Sequence, residues 1–487
     1  MVFLALDQGT TSSRAIVFGP GGDVLGQARH EIAQHYPQPG WVEHDPEEIF
    51  DTQWRAAREA HEAAGKPEVG GVGITNQRET VVVFDTSTGE PIHRAIVWQD
   101  RRTADCLAAM REHEDRVREL TGLPLDPYFS ASKIAWILDA VPGARDRAER
   151  GELFAGTIDA WLLWKLTGGQ VFATEPSNAS RTMLFDLGTG DWSDELCALL
   201  RVPRACLPEI RPSAGDFGQV RATGWPVTGI LGDQQAALFG QGCFDAGEAK
   251  CTYGTGAFLL MNCGTRIPAP GKGILGTVAW RLGERTTYAL EGSVLVSGAL
   301  IQWLGEGLGL FDSLADVENL ARSVEDAGEL VIVPAFAGLG TPHWDADARG
   351  LMIGITRGTG PGQIARAALQ AMALQVREVQ LAMEETMGSR FSNLRVDGGA
   401  AANDLLLGIQ ASLCGIEVHR PANLEATAVG AFRMAMLGAK EAATPSELAP
   451  MATEDSVFPP GDHHVEGLWE RWCEAVQRSR GWANPAR

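Results

Sequence analysis

Hydrophobic positions along the chain follow two rhythms. Residues 2–6 are an apolar, β-prone run, Asp7-Gln8-Gly9-Thr10-Thr11-Ser12 carries turn chemistry, and residues 14–18 resume as a strand before Gly19-Pro20-Gly21-Gly22. The chain therefore opens as a hairpin. A helix is predicted from Pro46, with Asp45 as cap, Pro46 in the first position and Glu47-Glu48 facing the positive end of the dipole. Ile49, Phe50, Trp54, Ala57 and Ala64 then recur near helical period. Strands are predicted at 71–74, 80–84 and 92–98, with 85–90 as a turn. Helical patterns occupy roughly 101–118, 131–140, 158–167 and 192–200. Strands alternating with helices point to an α/β core.

Near residue 243 the pattern restarts. Cys251-Thr252-Tyr253-Gly254-Thr255-Gly256-Ala257-Phe258-Leu259-Leu260 repeats the opening plan of strand, Gly/Thr turn and strand, so a second domain built like the first is expected. Its longest helix is predicted over Pro361–Met387, where Ile364, Ala368, Met372, Val376, Val379, Met383 and Met387 form one stripe. A strand at 394–397, a Gly398-Gly399 turn and a helix from Ala401 follow. The expected division is 1–242 and 243–487, with a peripheral extension after about 438 ending in a helix around 465–479.

The length of 487 residues exceeds what one core usually organises, which favours two large domains or three smaller ones. A net charge of −21, from 41 basic and 62 acidic residues, disfavours nucleic acid and anionic membrane as partners. No apolar run approaches the ~20 residues that span a bilayer, and the start lacks a basic n-region, so a cytoplasmic protein is expected. The eight cysteines are scattered without a C-x-x-C pair, and they read as buried hydrophobes rather than metal ligands.

Three places carry candidate chemistry. The Gly/Thr turns at 7–14 and 252–258, with Asp397-Gly398-Gly399-Ala400-Ala401-Ala402-Asn403, expose backbone N–H groups and hydroxyls suited to phosphate. Asp7 adds a hard oxygen for Mg²⁺, and Arg14 adds a guanidinium. No G-x-x-x-x-G-K-[ST] string is present, so this is not a P-loop. Asp233, in Gly232-Asp233-Gln234-Gln235, stands at a predicted helix start, where the dipole is expected to lower its pKa. Taken alone, it is also an ordinary N-cap. Arg78-Glu79 lies in a polar run between two apolar strands that, taken alone, reads as a solvated loop; with Trp98 and Tyr128 further on, carboxylate, guanidinium and ring faces together suit a small polyol.

The strings LDQGTTSSR, GITNQRET, AIVWQDRRT, DPYFSASK, NASRTMLF, GDQQAALFGQ, YGTGAF, ALEGSV, VPAFAGLG and RVDGGAAAN closely resemble the FGGY carbohydrate kinases of the actin/hexokinase-like ATPase superfamily. The resemblance extends to about residue 437, and its substrate strings are those of the glycerol-phosphorylating branch. It implies two actin-like (ribonuclease H-like) α/β domains with a nucleotide cleft between them. Thr10, Thr11, Ser12 and Arg14 would approach the ATP phosphates, while Thr255, Gly298, Gln302, Gly399, Ala400 and Asn403 would hold the rest of the nucleotide. Arg78, Glu79, Tyr128, Asp233 and Gln234 would take the glycerol hydroxyls, with Trp98 and Phe258 on its carbons. Asp233 would be the general base, and Asp7 and Asp233 would place Mg²⁺, partly through water. The implied product is sn-glycerol 3-phosphate, and the implied assembly is a homodimer or homotetramer. A kinase of another small polyol or ketose is the alternative, and a non-enzymatic nucleotide switch is a more distant one. Loop 218–228, GQVRATGWPVT, is shorter than the Gly/Arg loop with which some bacterial members bind fructose 1,6-bisphosphate, so the resemblance stops short of that effector.

Overall fold

The computed structural model describes residues 1–269, 271, 273–422, 425–448 and 456–484. The predicted hairpin forms: Val2–Gln8 pairs antiparallel with Ser12–Phe18, placing Asp7 opposite Arg14. Val24–Glu31 extends the sheet on one side, and the parallel strands Val69–Asn76 and Val227–Gly232 extend it on the other. The Pro46–Ala63 helix starts where the cap chemistry places it. The Asp45 carboxylate accepts the Glu47 amide at 3.0 Å, and Ile49, Ala56, Ala57 and Ala60 bury its apolar face.

The second sheet repeats this order. Arg285–Val294, Ala257–Asn262, Glu248–Tyr253, Asn393–Asp397 and Val418–Arg420 occupy the five corresponding positions. Leu275–Leu282 and Ser456–Phe458 are added at its two edges. The fold is thus mixed α/β, with two domains on one plan. The Pro361–Met387 helix spans the predicted residues and is buried beyond its stripe, at Ala365, Leu369 and Ala371 as well.

Helix Ala426–Gly438, late in the chain, packs on the first sheet and on helix Asp233–Gly240. The crossing depends on glycine. A Cβ on Gly240 would lie 2.7 Å from Gly430 N, and one on Gly430 would lie 2.8 Å from Ala236 Cα. Only hydrogen fits between these backbones.

Four expectations are corrected. The 92–98 strand reduces to Ala95–Ile96, because Ile92 and Val97 bond to Val83 and Val42 in separate stretches. The 101–118 pattern breaks into Ala104–Ala108, Arg111–His113 and Glu114–Thr121, with Met110 outside helical geometry. The helix after Gly399 begins at Asp404, capped by Asn403, behind a tighter turn over Gly399–Ala402. The extension is not merely peripheral. Its strand joins the second sheet, and helix Leu468–Ser479 drives the fully buried Trp472 into the large core. Residues 449–455 of that extension lie outside the described residues. Among the described residues, no helix is long and apolar enough to cross a membrane.

Candidate active site

Strands Val69–Asn76 and Val227–Gly232 run side by side, with Asn76 opposite Gly232, so Arg78 and Asp233 both follow the C-terminal ends of parallel strands. Open α/β sheets place ligands at such ends. Glu79 sits at φ 63°, a left-handed conformation that costs a side-chain-bearing residue strain and that the surrounding contacts must enforce. Arg78 Nε lies 3.1 Å from Asp233 Oδ1 and 4.0 Å from Glu79 Oε1. The three charged residues singled out in the sequence are therefore brought together.

Two further charges complete the cluster. Glu291, on the second sheet, accepts Arg78 Nη1 at 2.5 Å and Nη2 at 3.0 Å. Arg181 donates from Nε to Glu79 at 2.6 Å and from Nη2 to Glu291 at 3.0 Å. Burial pushes the Glu291 carboxyl up, but Arg181 and Arg78 outweigh it and hold it at about 2. In Glu79 burial wins over the same two arginines and the pKa rises.

The expected lowering of the Asp233 pKa is overturned. Burial raises it, and Arg78, the Gln234 backbone N–H and Lys250 offset this only in part. The residue is not the cap. Gly232 holds that position, and Asp233 Oδ1 accepts the adjacent Gln234 N–H at 2.7 Å. Its side chain keeps 29% of its surface open, which leaves the carboxylate reachable.

Aromatic groups wall this cluster. Trp98 and Tyr128 meet edge to face at 5.6 Å, and burial raises the Tyr128 phenol, with Glu79 adding to the rise. The Trp98 indole N–H donates to Thr10 Oγ1 at 2.9 Å, which ties this aromatic wall to the first Gly/Thr turn. Lys133 braces the Tyr128 segment by donating to the carbonyls of Tyr128 and Phe129, at 2.6 and 3.0 Å. Phe258 pairs with Thr252 and Ser293, and Glu291 and Lys250 pair with Leu260. Residues opposed in antiparallel strands share a face, so Phe258 lies on the face that carries Glu291 and Lys250. Gln234 reaches that face too, since its Oε1 accepts from Lys250 Nζ.

The phosphate candidates fall into two places. Asp7, Gly9, Ser12 and Arg14 line a 210 Å³ pocket together with Arg29, whose Nε donates to Ser12 Oγ at 3.1 Å. Arg14 is held by Asp7 at 2.8 Å and by Glu425. Burial raises the Asp7 pKa against the pull of Arg14. Thr10 and Thr11 sit on the turn above, where their carbonyls accept from Gln34 and Ile32. Thr255, Gly298, Gln302, Gly399, Ala400 and Asn403 all line one cavity of about 970 Å³. Its walls come from the second domain alone, from Tyr253 to Leu406. No group of three or more His, Cys, Asp or Glu that could hold a metal occurs among the described residues.

Sequence reasoning missed Arg181, Glu291, Lys250 and Arg29. A signal existed for two of them. Glu291 interrupts the apolar strand run YALEGSV, where a charge requires a buried partner, and Arg181 stands beside the apolar run Met183-Leu184-Phe185 in NASRTMLF.

Residues 2–240 match the FGGY family of carbohydrate kinases, N-terminal domain, and residues 249–439 match the C-terminal domain. The chain is 55% identical to a glycerol kinase of Alkalilimnicola ehrlichii over 99% of its length and 98% of the relative's. It is 50% identical to a glycerol kinase of Deinococcus radiodurans over 98% of this chain and 97% of that one. The crystal structure of Plasmodium falciparum glycerol kinase with ADP superposes with a TM-score of 0.92 at 32% identity, covering 98% of both chains. A sugar kinase of Brucella ovis, TM-score 0.87 at 23% identity and 98% coverage of both, shares the fold.

Proposed function

The chain belongs to the FGGY family of carbohydrate kinases, and from that premise we propose that it phosphorylates glycerol with MgATP, giving glycerol 3-phosphate and ADP. The observation that carries the reading is the charged cluster Arg78–Glu79–Asp233 under the Trp98–Tyr128 edge, linked through Thr10 to the first Gly/Thr turn. Glycerol has about six non-hydrogen atoms, so at roughly −1.5 kcal/mol per atom its binding cannot exceed about −9 kcal/mol. Charge-assisted hydrogen bonds must supply much of that, and they do so only where water is excluded. Arg78 and Glu79 are the groups placed to donate to and accept from the hydroxyls, while the rings cover the carbons.

Asp233 is placed to accept the proton of the attacking hydroxyl. Phosphoryl transfer has a loose transition state, so orientation of the nucleophile counts for more than the strength of the base. MgATP enters as substrate, with its nucleoside in the 970 Å³ cavity and its terminal phosphates toward Asp7, Ser12 and Arg14. Asp7 and Asp233 are the carboxylates that would hold an ion arriving with the nucleotide, which would supply charge neutralisation for the transferring group. Coupled ADP detection with a panel of glycerol, other polyols and ketoses tests the proposal. Glycerol-dependent ADP release is expected, and preference for a ketose or a glycerol-independent ATPase would refute it.

A further inference from the structure

Two charged groups of the cluster have no part in the direct contacts proposed above. Arg181 and Glu291 are completely buried, and their hydrogen bonds run to Glu79, to Arg78 and to each other. A buried ion pair is seldom more stabilising than apolar residues of the same volume, so such a lattice is poorly explained as a fold stabiliser. It is well explained as a device that fixes orientation.

Arg78 shows what is being oriented. Glu291 takes both terminal nitrogens of its guanidinium, which leaves the Nε edge toward Asp233. Nε approaches Asp233 Oδ1 at 3.1 Å yet makes no aligned hydrogen bond, and it remains a buried donor without a partner. Released from Glu291, the same guanidinium could turn its two-pronged end to Asp233 and occupy both carboxylate oxygens, the geometry arginine prefers. Glu79 is held in parallel by Arg181 while its backbone stays in the left-handed region.

We propose that Glu291, reaching across from the second domain, and Arg181 are the positioning residues of the polyol site, holding Arg78 and Glu79 so that Asp233 stays open to a substrate hydroxyl. The inference rests on the glycerol reading and deepens it. It also makes the polyol site a joint product of both domains. Glu291 lies on the sheet whose Glu248–Tyr253 strand runs into the Gly254-Thr255 turn of the nucleotide cavity. The two substrates therefore share one rigid sheet.

The test is steady-state kinetics and thermal shift on full-length Glu291→Gln, Arg181→Met and the double variant. Each single variant is expected to lose about 10²-fold in kcat/KM for glycerol, with the KM for MgATP changed by less than about twofold. The thermal shift given by ADP persists, while that given by glycerol shrinks. The double variant loses about as much as the worse single one, because both residues act through one lattice. Glu291→Asp, which keeps the charge, recovers part of the loss. Glycerol kcat/KM within about threefold of wild type in both single variants overturns the inference, as does equal weakening of glycerol and ADP. Should Glu291→Gln fail to fold, Glu291→Asp is read on the same axes, and a glycerol kcat/KM within about threefold of wild type there overturns the proposal equally. Wild-type protein without glycerol-dependent ADP release refutes the functional reading instead, so the two failures are separable.

Discussion

Gly430→Ala separates fold from chemistry in one substitution. Gly430 lies in the Ala426–Gly438 helix where it crosses the helix that begins at Asp233. An added Cβ would sit 2.8 Å from Ala236 Cα and 2.5 Å from its carbonyl carbon, whereas ordinary contact begins at 3.4 Å. The obstruction is backbone, with the Ala236 carbonyl oxygen nearer still, so no side chain can turn aside and the helices must part by more than about 1 Å. Alanine gains about 1 kcal/mol of helix propensity over glycine. Overpacking costs roughly 1–3 kcal/mol. With backbone as the obstacle the overpacking cost sits at or above the top of that range, so net destabilisation is at least about 2 kcal/mol. The chemical effect is large, because Ala236 stands one turn from Asp233 on the displaced helix. A 1 Å misplacement of a reacting group lowers turnover about 10²-fold. Coupled ADP release at saturating glycerol and MgATP, alongside urea unfolding followed by tryptophan fluorescence, reads both quantities. Turnover within about threefold of wild type would show that this crossing does not position Asp233, and the reasoning would fail.

The remaining predictions concern the base, the nucleotide and pH. Asp233→Asn is expected to cut kcat by at least about 10²-fold while ADP binding, measured by calorimetry, is unaltered; full turnover would remove Asp233 from the proton transfer. Gly399 has nothing within 4 Å of an added Cβ although it lines the large cavity, so Gly399→Ala should fold normally and weaken ADP binding about tenfold. Unchanged ADP affinity would mean the nucleotide does not pass over Gly399. Gly398→Ala should instead destabilise the fold, since Gly398 has φ 86° and its added Cβ would lie 2.8 Å from the Tyr253 carbonyl carbon. Burial, with His35 nearby, holds His44 at about 4, against 6.5 for a free histidine. Its contribution is full above pH 6.5 and is lost as pH falls toward 4, because there the unfolded chain binds a proton that the folded chain refuses. The loss amounts to about 3 kcal/mol. Urea unfolding between pH 4.5 and 7.5 should show this slope flattened in His44→Gln, and an equal slope in both proteins would refute it.

The pattern of apolar positions was enough for the α/β class, the opening hairpin, the capped Pro46–Ala63 helix, the Pro361–Met387 helix and the restart near residue 243, because each depends on neighbours in sequence. Runs of hydrophobic residues, a cap before a proline, and glycine between strands act over a few residues and are written locally. The same locality marked Arg78, Glu79 and Asp233, whose proximity the folded chain bears out. The tertiary structure decided the rest. It brought Arg181 and Glu291 to the cluster, laid the Ala426–Gly438 helix across the first sheet, and drew Trp472 into the core. It also reversed the sign of the Asp233 shift. A helix dipole is legible from a turn of sequence, but the desolvation that outweighs it comes from atoms distant along the chain, and only their packing sets its size.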